Sequence, residues 1–162
     1  MSEKNEHNDS IENSFKKHFQ ALIFKDEDKY FGIDISLCQD VNEEIEIKSV
    51  PKSKKYIAGI INIRGEIITV IDLARLLKYK KNNVTNSSAV IRIKTENNTD
   101  AIRADSIKDI MKIPNDSLED ASSYLGEREV QFIDHVALIE NNLILFPNIQ
   151  KIFDSQEVSD LD

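Results

Sequence analysis

The segment from Tyr56 to Leu77, YIAGIINIRGEIITVIDLARLL, reads as a complete folding unit and returns in outline near the C-terminus, so the chain must build the same small object twice. Ile57, Gly59, Ile61 and Ile63 fall on one face of an extended strand, and Ala58, Ile60, Asn62 and Arg64 on the other. The strand is therefore apolar on both faces until its end. Arg64-Gly65 turns it, with Gly65 supplying the positive φ of a tight hairpin, and Ile67 to Ile71 returns as a second, β-branched strand. Asp72 is placed to cap a short helix whose Leu73, Leu76 and Leu77 form one apolar stripe.

Phe132 to Phe153, FIDHVALIENNLILFPNIQKIF, lays over that unit without a gap. Few residues are identical, but the physical roles agree. Ile139 stands for Ile63, Asn141 for Gly65 as the other residue that tolerates the left-handed region, Asn148 for Asp72 as a cap, and Ile149, Ile152 and Phe153 repeat the stripe. Upstream, Ala21 to Phe24 and Phe31 to Ile35 match Ala89 to Ile93 and Ala101 to Ala104, and the pentapeptide from Leu37 to Val41 matches that from Ser106 to Ile110. Each half is thus expected to be a small β unit ending in a helix, with the seam at Asn82 to Ser87. The longest loop is expected over Asn115 to Glu129, pinned by Tyr124 and Leu125. Residues 1–15 and the acidic end from Asp154 to Asp162 are too polar to bury surface and are expected to be tails.

The balance of 40% hydrophobic and 31% charged residues is that of a soluble protein, and the net charge of -8 disfavours non-specific binding to nucleic acid or acidic membranes. Lysines nevertheless bunch at Lys52, Lys54 and Lys55 and again at Lys78, Lys80 and Lys81, either as solvated loops or as a basic rim facing a partner. Cys38 is the only cysteine, so no internal disulfide is expected and a reducing cytoplasm is the natural compartment. No apolar run approaches the ~18 residues that would cross a bilayer, and the N-terminus is too acidic for a signal peptide. His7, His18 and His135 lie far apart, without metal-ligand spacing, and neither phosphate loops nor nucleophile elbows occur. A carboxylate pair drawn from Asp34, Asp72 and Asp105 is the one enzymatic idea, set against capping and turn roles for the same acids. No catalytic residue, cofactor or metal is expected.

Tyr30-Phe31-Gly32-Ile33-Asp34-Ile35, Cys38-Gln39-Asp40-Val41, Pro51, Tyr56-Ile57-Ala58-Gly59, Asn62-Ile63-Arg64-Gly65 and Val70-Ile71-Asp72-Leu73 together resemble the motifs of the CheW-like domain of bacterial chemotaxis. That family is the adaptor that couples chemoreceptors to the histidine kinase CheA. The resemblance implies an all-β domain over residues 16–153 with two small SH3-like five-stranded barrels, a seam near 78–87 and short helices. It also implies a scaffold, not an enzyme, with the CheA regulatory domain on one barrel and the cytoplasmic tip of a chemoreceptor in the groove between barrels. Such a protein is cytoplasmic and is recruited to receptor arrays through its partners. Carried over by motif, the partner-binding positions are Cys38, Asp40, Asn62, Arg64 and Gly65, with Arg64 and Asp40 lying close together. Departures occur at Asp40, where glutamate is usual, at Cys38 for valine, at His135 for a glycine, and at Leu145-Phe146-Pro147-Asn148. The alternative is a small β-barrel, unrelated to chemotaxis, that takes a peptide by strand addition or in a groove.

Overall fold

The structure is a computed structural model that describes residues 17–79, 87–96 and 99–161. The expected tail over residues 1–15 and most of the expected seam lie outside the described residues.

The first half runs β1 (His18–Asp26), β2 (Lys29–Asp34), β3 (Cys38–Glu46), β4 (Ile57–Ile63), β5 (Glu66–Ile71) and α1 (Leu73–Leu76). The second runs β6 (Ser87–Ile93), β7 (Asp100–Ala104), β8 (Ser106–Pro114), β9 (Glu119–Asp120), α2 (Glu127–Val130), β10 (Ile133–Ile139), β11 (Asn142–Pro147) and α3 (Ile149–Leu161). The repeat holds down to single hydrogen bonds. Ile63 pairs with Glu66 around Arg64 and Gly65, and Ile139 pairs with Asn142 around Glu140 and Asn141. All four loop residues have positive φ, at 53° and 87° in the first tip and 51° and 66° in the second, the two-residue turn whose twist suits a hairpin. Each unit then closes on its helix in the same way. Asp72 donates its N–H to Tyr56 O at 2.8 Å and Asn148 donates its own to Phe132 O at 2.7 Å. Asp72 Oδ1 accepts Arg75 N–H at 3.3 Å, and Asn148 Oδ1 accepts Lys151 N–H at 3.0 Å.

The two expected barrels are present, but neither half builds one by itself. The two sheets run β8-β1-β2-β11-β10-β9 and β3-β6-β7-β5-β4. The halves have exchanged their opening hairpins. β1 pairs with β8 and β2 lies parallel to β11, while β6 pairs with β3 and β7 lies parallel to β5. The exchange is symmetric in register, since Ala21 opposes Asp34 as Val90 opposes Arg103, and Leu22 opposes Ile110 as Ile91 opposes Val41. Val90, not Ala89, is therefore the counterpart of Ala21.

The physical reason lies in the strands that are apolar on both faces. Such a strand needs two dry surfaces, and a small barrel with a wet exterior supplies only one. Placed by exchange, alternate residues reach different cores. Ala21, Ile23, Ile144 and Phe146 fill one barrel; Ile61, Ile68, Val70, Val90 and Ala101 fill the other. Leu22, Phe24, Phe31, Ile91, Ile102 and Leu145 turn outward instead, into a large core shared by both barrels and joined by Leu73, Leu76, Ile152 and Phe153 from the helices. Closure is also duplicated. Beyond β3, Lys48 bridges Ile60 of β4 with backbone bonds of 2.9 and 2.8 Å, and beyond β8 the two-residue β9 pairs with β10 at His135 and Val136. Both joins occupy part of the outer edge that strand addition would need.

Two local expectations also shift. The second helix runs on to Leu161 rather than stopping near Phe153, with no glycine or proline to end it and Gln150 Nε2 donating to Asp154 at 3.3 Å. The stretch from Asn115 to Glu129 is a chain of 3-10 turns, β9 and the start of α2, pinned by Leu125 against the shared core. Tyr124 is exposed and donates its hydroxyl to Glu119 at 2.6 Å. Among the described residues no helix is long and apolar enough to cross a membrane.

Candidate functional site

The β4–β5 hairpin tip and β3 face each other across a polar cleft of about 470 Å³. Asp40 and Arg64 both line it, but the direct partner of Asp40 is Arg92 on the neighbouring strand β6. Arg92 Nη1 donates to Asp40 Oδ2 at 3.0 Å and Asn42 Nδ2 donates to Asp40 Oδ1 at 3.1 Å, so both carboxylate oxygens are engaged. The Arg92 side chain is 10% exposed against 43% for Asp40, which places the cation at the floor and the acid at the rim. Arg64 is exposed across the cleft, and among the described residues no carboxylate lies within ion-pair distance of it. The expected nearness of Arg64 and Asp40 thus takes the form of a shared cleft rather than a bond.

The remaining candidate residues serve the same tip unequally. Asn62 Oδ1 accepts Gly65 N–H at 2.9 Å, which ties the turn and holds Arg64 in its positive-φ conformation. Gly65 faces open space. Cys38 lies at the start of β3, before a bulge that separates it from Asp40, and packs against the shared core. Its thiol donates to Asp34 O at 3.8 Å, and burial, aided by the Asp34 carboxylate, pushes it up to about 11. It is a packing thiol and not a nucleophile at neutral pH.

Arg92 is the residue that sequence reasoning missed, although an arginine inside the apolar run Ala89 to Ile93 is a visible irregularity. Its counterpart in the other barrel is Ile23, which opposes Asp109 where Arg92 opposes Asp40. The ion pair is therefore one feature that distinguishes the two barrels. Gly59 and His135 form a second such difference. A Cβ on Gly59 would lie 2.1 Å from the Lys48 carbonyl oxygen, so the barrel closure demands glycine. His135 sits opposite Asp120 in an ordinary ladder beside a bulge, where a side chain fits.

The acids considered for chemistry are spoken for. Asp34 accepts Ser36 N–H at 2.9 Å in the turn before β3. Asp72, buried, and Asp105, exposed, both face the buried Arg103, whose Nη1 is 3.1 Å from the buried Asp26 Oδ1, 2.7 Å from Asp105 Oδ1 and 3.9 Å from Asp72 Oδ2. Asp26 also accepts Ala74 N–H at 3.2 Å. The cluster ties β1 of one barrel to β7 and α1 of the other, so capping is only part of what Asp72 does. Along the seam between the barrels, Leu37, Pro147 and Ile149 are common to two adjoining depressions of about 220 and 560 Å³. His135 and Phe146 border the first, Lys94 and Asp134 the second.

Two closed barrels that exchange strands around a common core, with polar clefts at their margins, define a small all-β fold of the two-SH3-like-barrel kind. The CheW-like domain family model matches residues 20–157, and the chain belongs to that family. The chemotaxis protein CheW of Thermotoga maritima is 25% identical over 146 residues, which cover 89% of this chain and 93% of that protein. The probable chemotaxis protein CheW of Rhizobium etli is 22% identical over 138 residues, covering 85% and 89%. Among solved structures, the scaffolding protein TtCheW from Thermoanaerobacter tengcongensis has the same fold, with a TM-score of 0.71 and 23% identity over 82% of this chain and 90% of that one.

Proposed function

We propose that this protein is a chemotaxis scaffold that couples chemoreceptors to the histidine kinase CheA. The observation that carries the proposal is the CheW-like match across residues 20–157 on a fold whose two barrels share one core. A scaffold of this kind turns nothing over. It transmits by holding receptor and kinase at once, so that a change at one alters the free energy of the other. The CheA regulatory domain docks at the hairpin tip of β4 and β5, where Arg64 is an exposed cation held by the Asn62–Gly65 turn and Asp40, Arg92 and Asn42 form the facing wall. Cys38 supports that wall from behind. The cytoplasmic tip of a chemoreceptor occupies the seam between barrels, beside Leu37 and Ile149. The protein works in the cytoplasm and reaches the membrane only through these partners.

The test is a titration of the purified protein with the regulatory domain of CheA from the same organism, with and without a receptor tip fragment. Saturable binding of each, and a ternary complex, is the expected result. A folded sample that binds neither refutes the assignment.

A further inference from the structure

The two lysine-rich stretches noted in the sequence are separated along the chain, yet Lys55 of one and Lys78 of the other line a single cleft of about 630 Å³. Arg75 of α1 and Arg128 of α2 complete its cationic lining, and Tyr56 and Tyr79 form the rest of the wall. No acid is among the described lining residues, in a chain whose net charge is -8. Two carboxylates reach the wall from behind: Asp72 lies 3.7 Å from Arg75 and also faces Arg103, and Glu129 accepts the Tyr79 hydroxyl and Gly126 N–H, so among the described residues Lys55, Lys78 and Arg128 are the lining cations that face no carboxylate at ion-pair distance. Like charges gathered on one wall repel, and an anion relieves them.

The site is also held in shape. Arg128 donates through Nη2 to the Leu76 carbonyl at 2.9 Å and lies 5.7 Å from the centre of the Phe132 ring. Tyr79 is fixed by Glu129 and by Lys29, whose Nζ is 5.1 Å from its ring centre. Burial and the Glu129 carboxylate push the Tyr79 hydroxyl upward, so it stays neutral. The two aromatic rings offer apolar surface between the charges.

We propose that this cleft binds an acidic peptide segment of a protein partner, its carboxylates meeting Lys55, Arg75, Lys78 and Arg128 while a flanking apolar side chain lies on the tyrosines. A peptide suits the lining better than a phosphate does. Phosphate sites draw on backbone N–H groups, whereas the backbone presented beside Arg128 is a carbonyl from the end of α1. A chain that is acidic overall repels acidic partners at a distance, so this patch decides where one can land. The cleft lies apart from the hairpin tip, and the proposal stands independently of the kinase and receptor assignment.

The experiment uses the full chain and a fluorescein-labelled peptide of alternating glutamate and phenylalanine, followed by fluorescence anisotropy. Saturable binding that weakens with salt is expected. The Lys55→Glu/Lys78→Glu double variant should weaken it about tenfold or more, whereas Lys108→Glu/Lys112→Glu, the same charge change on exposed positions of β8, should stay within about twofold. Should the first double variant fail to fold, Lys55→Gln/Lys78→Gln gives the same comparison with an expected loss of about threefold. Absence of binding, equal loss in both double variants, or displacement of the peptide by inorganic pyrophosphate at lower concentrations than by unlabelled peptide overturns the proposal.

Discussion

Gly59 and Gly65 provide a controlled comparison, because both have positive φ, at 148° and 87°, but only one is crowded. At Gly59 an added Cβ would lie 2.1 Å from Lys48 O, 2.7 Å from Lys48 C and 2.9 Å from Ile47 Cγ2. Backbone atoms cannot swing aside, so Gly59→Ala must push the segment beyond β3 off β4. Overpacking of that kind costs about 1–3 kcal/mol. Displacing Lys48 also loses its two backbone bonds to Ile60, at about 1 kcal/mol each. Clash and lost bonds together come to roughly 3–5 kcal/mol, beyond the positive-φ strain that both sites share. At Gly65 nothing lies within 4 Å, and Gly65→Ala should cost only the backbone strain, about 1 kcal/mol. Urea denaturation of both variants reads the difference directly through the midpoint at constant slope. Equal losses would show that the Lys48–Ile60 join does not close the barrel and would remove the reason given for glycine at position 59.

Arg64→Ala should change stability by less than about 1 kcal/mol, since the side chain is exposed and has no ion-pair partner among the described residues, yet weaken binding to the CheA regulatory domain by about 2 kcal/mol or more in a titration, with Arg64→Lys separating charge from the guanidinium fork. Asp72→Ser keeps a capping oxygen but removes the charge facing Arg103, so it should cost about 1–3 kcal/mol, close to Asp72→Ala, whereas Asn148→Ser at the equivalent cap should cost under about 0.5 kcal/mol; a neutral Asp72→Ser in denaturant titration would contradict the cluster around Arg103. Cys38 has its pKa raised from 9.0 to about 11, so the neutral thiol favours the folded state below pH 9 and that contribution is lost as pH rises towards 11. At pH 8 the folded protein should react with iodoacetamide about 100-fold more slowly than the urea-unfolded chain, and comparable rates would refute the burial of the thiol.

The hairpins, their positive-φ tips, both helix caps and the duplication were legible because each depends on local chemistry: Gly65 or Asn141 at a turn, Asp72 or Asn148 before an apolar stripe. The pairing of strands was not. Double-sided apolar strands announce two buried faces but not whose strands supply them, and local pattern is the same whether β2 lies beside β5 or β11. Arg92 and Arg103 were passed over for the same reason. A cation in an apolar run acquires meaning only when the fold brings Asp40, or Asp26 and Asp105, to its side. Gly59 carried a visible motif without a visible cause, because the cause is a carbonyl eleven positions earlier that approaches only after the barrel closes.

The exchange of opening hairpins bears on how the protein is made. As the chain leaves the ribosome, β1 and β2 emerge well before the strands that flank them, β8 and β11. The barrel of β3 to β7 can assemble before β8 emerges, while the hairpin of β1 and β2, apolar on both faces, has to wait for β8 and β11. Pairings so distant in sequence are slow to form and leave sticky surface exposed meanwhile. A break at the seam would leave neither fragment with a complete barrel, so each copy within the sequence depends on the other for its fold.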